Sequence, residues 1–315
     1  MSRLAELLAA GARPVVTAEF PSIDTGGMDA VERAADALRP YVDAVNATDN
    51  PAAHAHASNT SVAIAMARFG LEPILQVVCR DKNRLALQSD IVGASLFGIE
   101  NIACLTGDDV TAGDEPEARR VFDLDGVQLI EVASGLADGH YLSGRRIDPA
   151  PQLFVGAVEN PYAPPRDYRV QRALKKARAG ARFLQLQIGY YPERLESFAR
   201  GCVDAGVTST TALLPTVVLT KSARALSFMD QPVPGISVPA DTIARVAGAG
   251  GKEQVAEASY QLTLELARHS LALPGVSGLH ITDFRHDGSL ARMVEDLRIG
   301  PAFAKERHAH GSQIG

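Results

Sequence analysis

The chain has 315 residues, of which 46% are hydrophobic and 22% charged, with a net charge of −6. That is globular composition, enough for one large α/β barrel or two smaller domains. The acidic balance, with a pI of about 5.8, offers no basic face to nucleic acid, and no stretch nears the roughly 18 apolar residues of a membrane span.

In chain order, residues 1–10 read as a short amphipathic helix without the long apolar core of a signal peptide. Residues 14–20 are the first strand candidate and 28–38 a helix with acids near its start; 41–47 and 53–69 repeat the strand–helix pair. Residues 71–78 are a third strand, 83–97 a helix and 101–105 a fourth strand. A looser region covers 110–121, and a helix follows over 125–136. Strand five is read at 153–157 and its helix at 168–179, ended by Gly180; strand six at 183–188 and its helix at 193–205. Strand seven is read at 211–215, followed by a helix at 222–230, then two inserted helical stretches at about 240–247 and 252–271. Residues 278–282 are the eighth strand and 289–297 the last helix.

Eight strand–helix pairs in a chain of this length predict an α/β fold of the (β/α)8 TIM-barrel type, with a helical insertion before the last strand. A doubly wound open sheet is the rival, but Pro21-Ser22-Ile23-Asp24 follows the first strand where a glycine-rich phosphate loop would be expected. Residues 1–300 are expected to form one domain and 301–315, with His308 and His310, a frayed tail. Three cysteines, Cys79, Cys104 and Cys202, cannot all pair and lack C-x-x-C spacing, which points to a reduced, cytoplasmic protein.

Barrel enzymes carry their chemistry at the carboxyl ends of the strands. That rule selects Glu19, Asn46, Asp49, Gln76, Arg80, Asp81, Asp108, Gln187 and Asp283. The run Leu105-Thr106-Gly107-Asp108-Asp109 turns at a glycine and presents two acids at a strand end. Alone it could equally be an acidic loop. Glu19 closes an otherwise apolar strand; a carboxyl desolvated at a barrel mouth needs a partner and can serve as a general acid.

Arg80 and its neighbours could bind an anion at a helix start. For Lys82 and Arg84 the plainer role of first-turn charges, behind a cap at Asp81 or Asn83, is favoured. Arg169, Arg172, Lys175 and Lys176 share one helix, which either holds a pyrophosphate or is a solvated face. Gln185 and Gln187 are two apart on a strand and so point the same way, needing hydrogen-bond partners that a polar ring could supply. The pairs His54/His56 and His308/His310 lack metal-ligand spacing, so no metal is expected. Lys252 follows glycines but lacks both the P-loop spacing and the Ser or Thr after it, and no G-x-S-x-G elbow appears.

Taken together and in order, several segments resemble the catalytic barrel of the methylenetetrahydrofolate reductase family. They are Glu19-Phe20-Pro21, Cys79-Arg80-Asp81-Lys82-Asn83-Arg84, Leu105-Thr106-Gly107-Asp108, Val121-Phe122-Asp123-Leu124-Asp125, Lys176-Ala177-Arg178-Ala179-Gly180-Ala181 leading to Gln187, Pro234-Gly235-Ile236-Ser237-Val238-Pro239, and Leu279-His280 leading to Arg285. The resemblance implies reduction of 5,10-methylenetetrahydrofolate to 5-methyltetrahydrofolate by NADH or NADPH, through FAD or by direct hydride transfer, in one-carbon flux toward methionine. A folate-binding barrel without redox activity is the alternative.

By the same resemblance, Glu19 is the general acid and Asp108 lies beside pterin and flavin. Gln187 and Arg285 hold the substrate. Asn46, Gln76, Thr106, Gly107, Asp108, Phe122, Asp123, Lys175 and Lys176 fall at cofactor positions. Tetrahydrofolate and NAD(P)H are the implied partners, and a homo-oligomer the implied assembly. The chain departs from the family at Asn46-Ala47-Thr48-Asp49, at Gln76, where a histidine is usual, and at Arg169, Arg172 and Lys175. These departures bear on the flavin site more than on the folate chemistry.

Overall fold

The computed structural model describes residues 1–230 and 235–303; Pro234, His308 and His310 lie outside the described residues. The chain opens with helix α1 (Arg3–Ala10) and strand β1 (Val15–Glu19), then alternates: α2 (Asp29–Leu38), β2 (Ala44–Ala47), α3 (Asn59–Arg68), β3 (Pro73–Val78), α4 (Arg84–Ser95), β4 (Asn101–Leu105). It continues with α5 (Gly126–Ala137), β5 (Phe154–Glu159), α6 (Tyr168–Ala179), β6 (Phe183–Leu186), α7 (Pro192–Asp204) and β7 (Ala212–Val218). Helices α8 (Ala223–Asp230), α9 (Ala240–Ala247) and α10 (Lys252–Leu271) precede β8 (Gly278–Thr282), and α11 (Ser289–Leu297) follows it. All eight strands are parallel and close into a barrel in chain order, β8 pairing with β1. This is the α/β TIM barrel expected from the sequence, with the helical insertion before the last strand.

Local signals set the helix ends. Asn83 caps α4 by accepting from Leu85 N and Ala86 N at 3.1 Å each. Asp125 and Gln128 form a reciprocal capping box at the start of α5. Gly180, in the left-handed region at φ 117°, ends α6.

Strand side chains alternate in direction, and the interior faces therefore stack in layers. The lowest holds Val15, Ala44, Ile74, Ala103, Phe183 and Leu214, closed from below by Leu4 of α1. Burying a leucine this fully contributes roughly 1.5–3 kcal/mol. Two residues further along the strands come the polar Thr17, Asn46, Gln76, Gln185, Thr216 and His280, with Leu105 the apolar member from β4. One more step reaches Glu19, Val78, Gln187 and Thr282 at the upper rim. The intervening residues, such as Val16, Ala18, Val45 and Leu184, point outward into the larger core beneath the helices. The barrel is thus apolar at its base and polar toward the carboxyl ends of its strands.

Residues 53–69, expected as one helix, divide. Asn50, Ala52 and Ala53 have positive φ, and α3 begins only at Asn59. This left-handed stretch lies against Gly113, where a Cβ would come within 1.8 Å of Ala53 O.

Candidate active site

One cavity of about 360 Å³ opens at the carboxyl ends of the strands, at the small end of the roughly 300–1,000 Å³ typical of ligand sites. Glu19 and Asp108 both line it, with Asn46, Gln76, Thr106, Gly107, Lys176 and Gln187. Phe122, Asp123, Lys175 and Arg285 are not among its lining residues.

Glu19 ends β1 on the interior face, with its side chain one-third exposed and its Oε1 3.8 Å from His280 Nε2. Beneath it runs a buried polar network. Asn46 Nδ2 donates to Gln185 Oε1 and Gln185 Nε2 to Asn46 Oδ1, each at 2.9 Å. Gln185 Nε2 also lies 3.2 Å from His280 Nδ1, with Thr17 Oγ1 2.9 Å from the same nitrogen. An amide nitrogen only donates. With the amides in this orientation Nδ1 is therefore the acceptor, and the ring proton sits on Nε2, facing Glu19. These polar groups satisfy one another, as burial requires.

Asp108 follows β4 in an exposed turn at Gly107. Gly107 has φ 92°, and a Cβ there would come within 2.4 Å of Val78 Cγ1, so only glycine fits. On the adjoining wall, Asp49 Oδ2 accepts from Val78 N at 3.2 Å and from Lys82 Nζ at 2.9 Å. Burial raises the Asp49 carboxyl above the usual range against the opposing pull of Lys82. Arg80 is buried, donating to both oxygens of Asp81 at 2.7 and 2.6 Å and to Asn50 O at 3.0 Å. It fixes the β2 loop to the end of β3. Lys82 also pairs with Asp90 and Arg84 with Asp123, so both are committed to structural pairs.

The far wall belongs to β5 and α6. Glu159 there has three cations around it: Lys176 Nζ at 2.6 Å, Arg172 Nε at 3.4 Å and Arg169 Nη1 at 3.6 Å. Lys176 Nζ also donates to Val158 O at 2.5 Å. Burial pushes the Lys176 ammonium down against the pull of Glu159. Glu159 escapes the sequence reading because β5 was expected to stop at residue 157. Thr17 and His280 were also missed as site residues, although stepping back two residues from Glu19 and from Thr282 reaches both.

Of the positions at which the resemblance implies a flavin, Asn46, Gln76, Thr106, Gly107, Asp108 and Lys176 line the cavity, whereas Phe122, Asp123 and Lys175 do not. Asp123 gives both carboxylate oxygens to Arg84 at 2.8 Å, which holds its carboxyl at about 2. Phe122 is 37% exposed, off the cavity. Lys175 turns to Tyr168 Oη at 2.6 Å. Lys176 is taken by Glu159, and Asn46 by Gln185. Phe122, Asp123 and Lys175 are thus not placed to hold a flavin as the family motif would, and Lys176 and Asn46 are engaged elsewhere. Among the described residues, no three His, Cys, Asp or Glu side chains group as metal ligands, and no helix is long and apolar enough to cross a membrane.

Solved structures share the fold, among them the following three. A Clostridium thermocellum protein described as binding two copies of 5-methyl-5,6,7,8-tetrahydrofolic acid superposes with a TM-score of 0.67 at 11% identity, over 94% of this chain and 99% of its own. EDTA monooxygenase (EmoA) from Chelativorans sp. BNC1 gives 0.54 at 12%, over 93% and 96%. DmoA from Hyphomicrobium sulfonivorans gives 0.54 at 10%, over 90% and 86%. At such identities the likeness is one of fold. No curated protein matches the chain in sequence. The methylenetetrahydrofolate reductase family model, in contrast, matches residues 5–298, nearly the whole chain. The chain belongs to the methylenetetrahydrofolate reductase family.

Proposed function

We propose that this barrel reduces 5,10-methylenetetrahydrofolate to 5-methyltetrahydrofolate with NADH or NADPH as electron donor. The observation that carries the proposal is that Glu19 faces the barrel interior and lines one cavity with Asp108 and Gln187. Hydride transfer needs two rings held face to face, a proton donor and little water, rather than a protein nucleophile.

In this scheme the Glu19 carboxyl gives its proton to N10 of the folate. The bond from N10 to the bridging carbon breaks, leaving an N5 iminium. Hydride then adds to that carbon and completes the N5-methyl group. Asp108 places negative charge beside the cationic iminium and lowers the barrier to its formation. The Glu19 carboxylate left behind faces the Nε2–H of His280, an interaction that strengthens as the proton leaves. Gln187, which lines the cavity with its Oε1 held by Ile188 N, orients the pterin.

Phe122, Asp123 and Lys175 lie off the cavity and Lys176 is paired with Glu159, so the hydride is taken to pass directly from the nicotinamide to the folate. Freshly purified protein is then expected to be colourless, and bound yellow flavin would refute direct transfer. The test of the reaction is anaerobic oxidation of NADH or NADPH that begins only on addition of methylenetetrahydrofolate. A barrel that binds reduced folate without reducing it is the second reading, favoured by the ligand of the C. thermocellum protein. It predicts folate binding with no oxidation of either donor.

A further inference from the structure

A groove of about 480 Å³ lies on the outside of the barrel, between the first turns of α4 and a hairpin over residues 139–147 that follows α5. It is larger than the catalytic cavity, shares no lining residue with it, and falls within the roughly 300–1,000 Å³ of ligand sites. The hairpin has a fixed shape. Tyr141 N donates to Arg145 O at 2.9 Å and Ile147 N to Gly139 O at 2.8 Å, and Gly144 turns the chain at φ 85°. Gln88, buried on α4, clamps the hairpin to the helix: its Oε1 accepts from Leu142 N and its Nε2 donates to Arg84 O, each at 2.8 Å.

Two arginines line the groove and no acid does. Arg84 gives Nε and Nη2 to the carboxylate of Asp123 at 2.8 Å each. Arg145 has no carboxylate at ion-pair distance among the described residues; its guanidinium lies over the Tyr141 ring, 3.9 Å from the centroid. That stacking orients the guanidinium plane and leaves its N–H edge for an acceptor. The hydroxyls of Ser89 on α4 and Ser143 on the hairpin line the same groove. A chain with a net charge of −6 thus keeps one uncompensated cation here, between apolar walls. Each wall carries one large apolar side chain: Leu85 of α4, 72% exposed, and Leu142 of the hairpin, 49% exposed. Single exposed leucines are ordinary on a surface. Two on opposite walls of a groove of ligand size, in company with an unpaired guanidinium, mark a place where something binds.

We infer that this groove is a second ligand site and that it takes a small organic anion with an apolar body, a carboxylate on a ring or chain. The carboxylate accepts from Arg145 in the forked geometry a guanidinium offers, with the serine hydroxyls as further donors. The apolar body lies between Leu85 and Leu142 and covers the surface they leave in water. The site stands apart from the catalytic cavity and does not depend on the reaction proposed there.

Calorimetric titration of the full chain with 2-naphthoate, at fixed ionic strength, tests this, with 2-naphthamide as the same ring without the charge. The wild type should bind naphthoate about tenfold more tightly than naphthamide. Arg145→Gln should bring naphthoate down to the naphthamide level and leave naphthamide unchanged. Leu142→Ser should weaken both probes by about fivefold. Arg145 and Leu142 are both exposed, so each variant should melt as the wild type does. Arg172→Gln, which removes a cation from the catalytic cavity, should bind naphthoate as the wild type does.

No binding to the wild type, equal affinity for the two probes, or unchanged naphthoate affinity in Arg145→Gln or Leu142→Ser would overturn the inference. Binding lost in Arg172→Gln and kept in Arg145→Gln would put the probe in the catalytic cavity and overturn it as well.

Discussion

Glu19 and His280 stand on neighbouring strands across the seam that closes the barrel, with Oε1 3.8 Å from Nε2. The imidazole is not free to turn. Gln185 and Thr17 hold its other nitrogen, and Asn46 holds Gln185. A chain of four side chains from four strands therefore aims one ring proton at one carboxyl. Glu19→Gln is expected to reduce turnover by about 10²–10⁴-fold, the usual worth of a general acid, with little change in melting temperature because the side chain is partly exposed. Steady-state rates beside a thermal melt check both halves of this expectation.

His280 is a positioning residue in this scheme. His280→Ala removes one acceptor of Gln185 Nε2, which keeps Asn46 Oδ1, while Thr17 Oγ1 keeps Leu279 O; one buried amide proton is left unpaired, at a cost of about 1–3 kcal/mol of stability. It should lower kcat more than it raises KM, and it should shift the pH profile of kcat, which a purely structural loss would not do. His280→Asn, whose amide oxygen can accept in place of Nδ1, should recover most of the stability but not the rate.

Asp123 separates a cofactor role from a structural one. Its carboxyl is held at about 2 by the Arg84 hydrogen bonds, against an ordinary 3.8. A depressed acid contributes its stability in full above pH 3.8 and loses it as pH falls toward 2. Asp123→Asn is thus expected to lower stability at neutral pH, with the difference from the wild type closing as pH falls from about 4 toward 2. Substrate-dependent NADH oxidation at neutral pH should not change. A large loss of turnover in a stable Asp123→Asn protein would restore the family's cofactor role to this position.

Gly107 shapes the turn that carries Asp108. With φ 92° and Val78 packed against it, Gly107→Ala combines backbone strain of about 1–3 kcal/mol with a displaced loop. Folate affinity should fall along with stability, and chemical denaturation paired with a folate titration reads both. Unchanged binding in this variant would mean that the Asp108 turn does not touch the ligand.

The three thiols should be inert in the native state. Cys79, Cys104 and Cys202 are all buried, and burial drives every one of them up, Cys79 and Cys202 to about 12. The thiolate is the reactive form. Alkylation at neutral pH is expected to label none of them until denaturant is added. Rapid labelling of Cys104, which lines the cavity, would mean that the site opens further than this packing allows.

Alternation and turn residues made the barrel legible, because period-2 strands bounded by glycine and followed by amphipathic helices admit few other folds. Strands β4 and β8 and helices α6 and α11 begin and end where the pattern places them. The errors lie at strand ends. β5 runs on through Val158 and Glu159 because β6 extends the ladder there, and β7 runs past Pro215 to Val218 because β8 does the same. Propensity saw an acid and an asparagine at 159–160 and stopped early, which hid Glu159. Residues 50–53 were also opaque: nothing in Asn-Pro-Ala-Ala announces left-handed backbone, which Gly113 makes possible from sixty residues away. Pairings such as Asp123 with Arg84 and Lys176 with Glu159 are contacts between elements, and a single sequence carries no record of them.

The most direct test is a single-turnover experiment without air: purified protein, a small excess of NADH or NADPH, and methylenetetrahydrofolate, with the folate product identified afterwards. The account predicts one 5-methyltetrahydrofolate formed per nicotinamide oxidised, and none with Glu19→Gln. Folate binding with no oxidation of either donor by the wild type, or full turnover by Glu19→Gln, would contradict it.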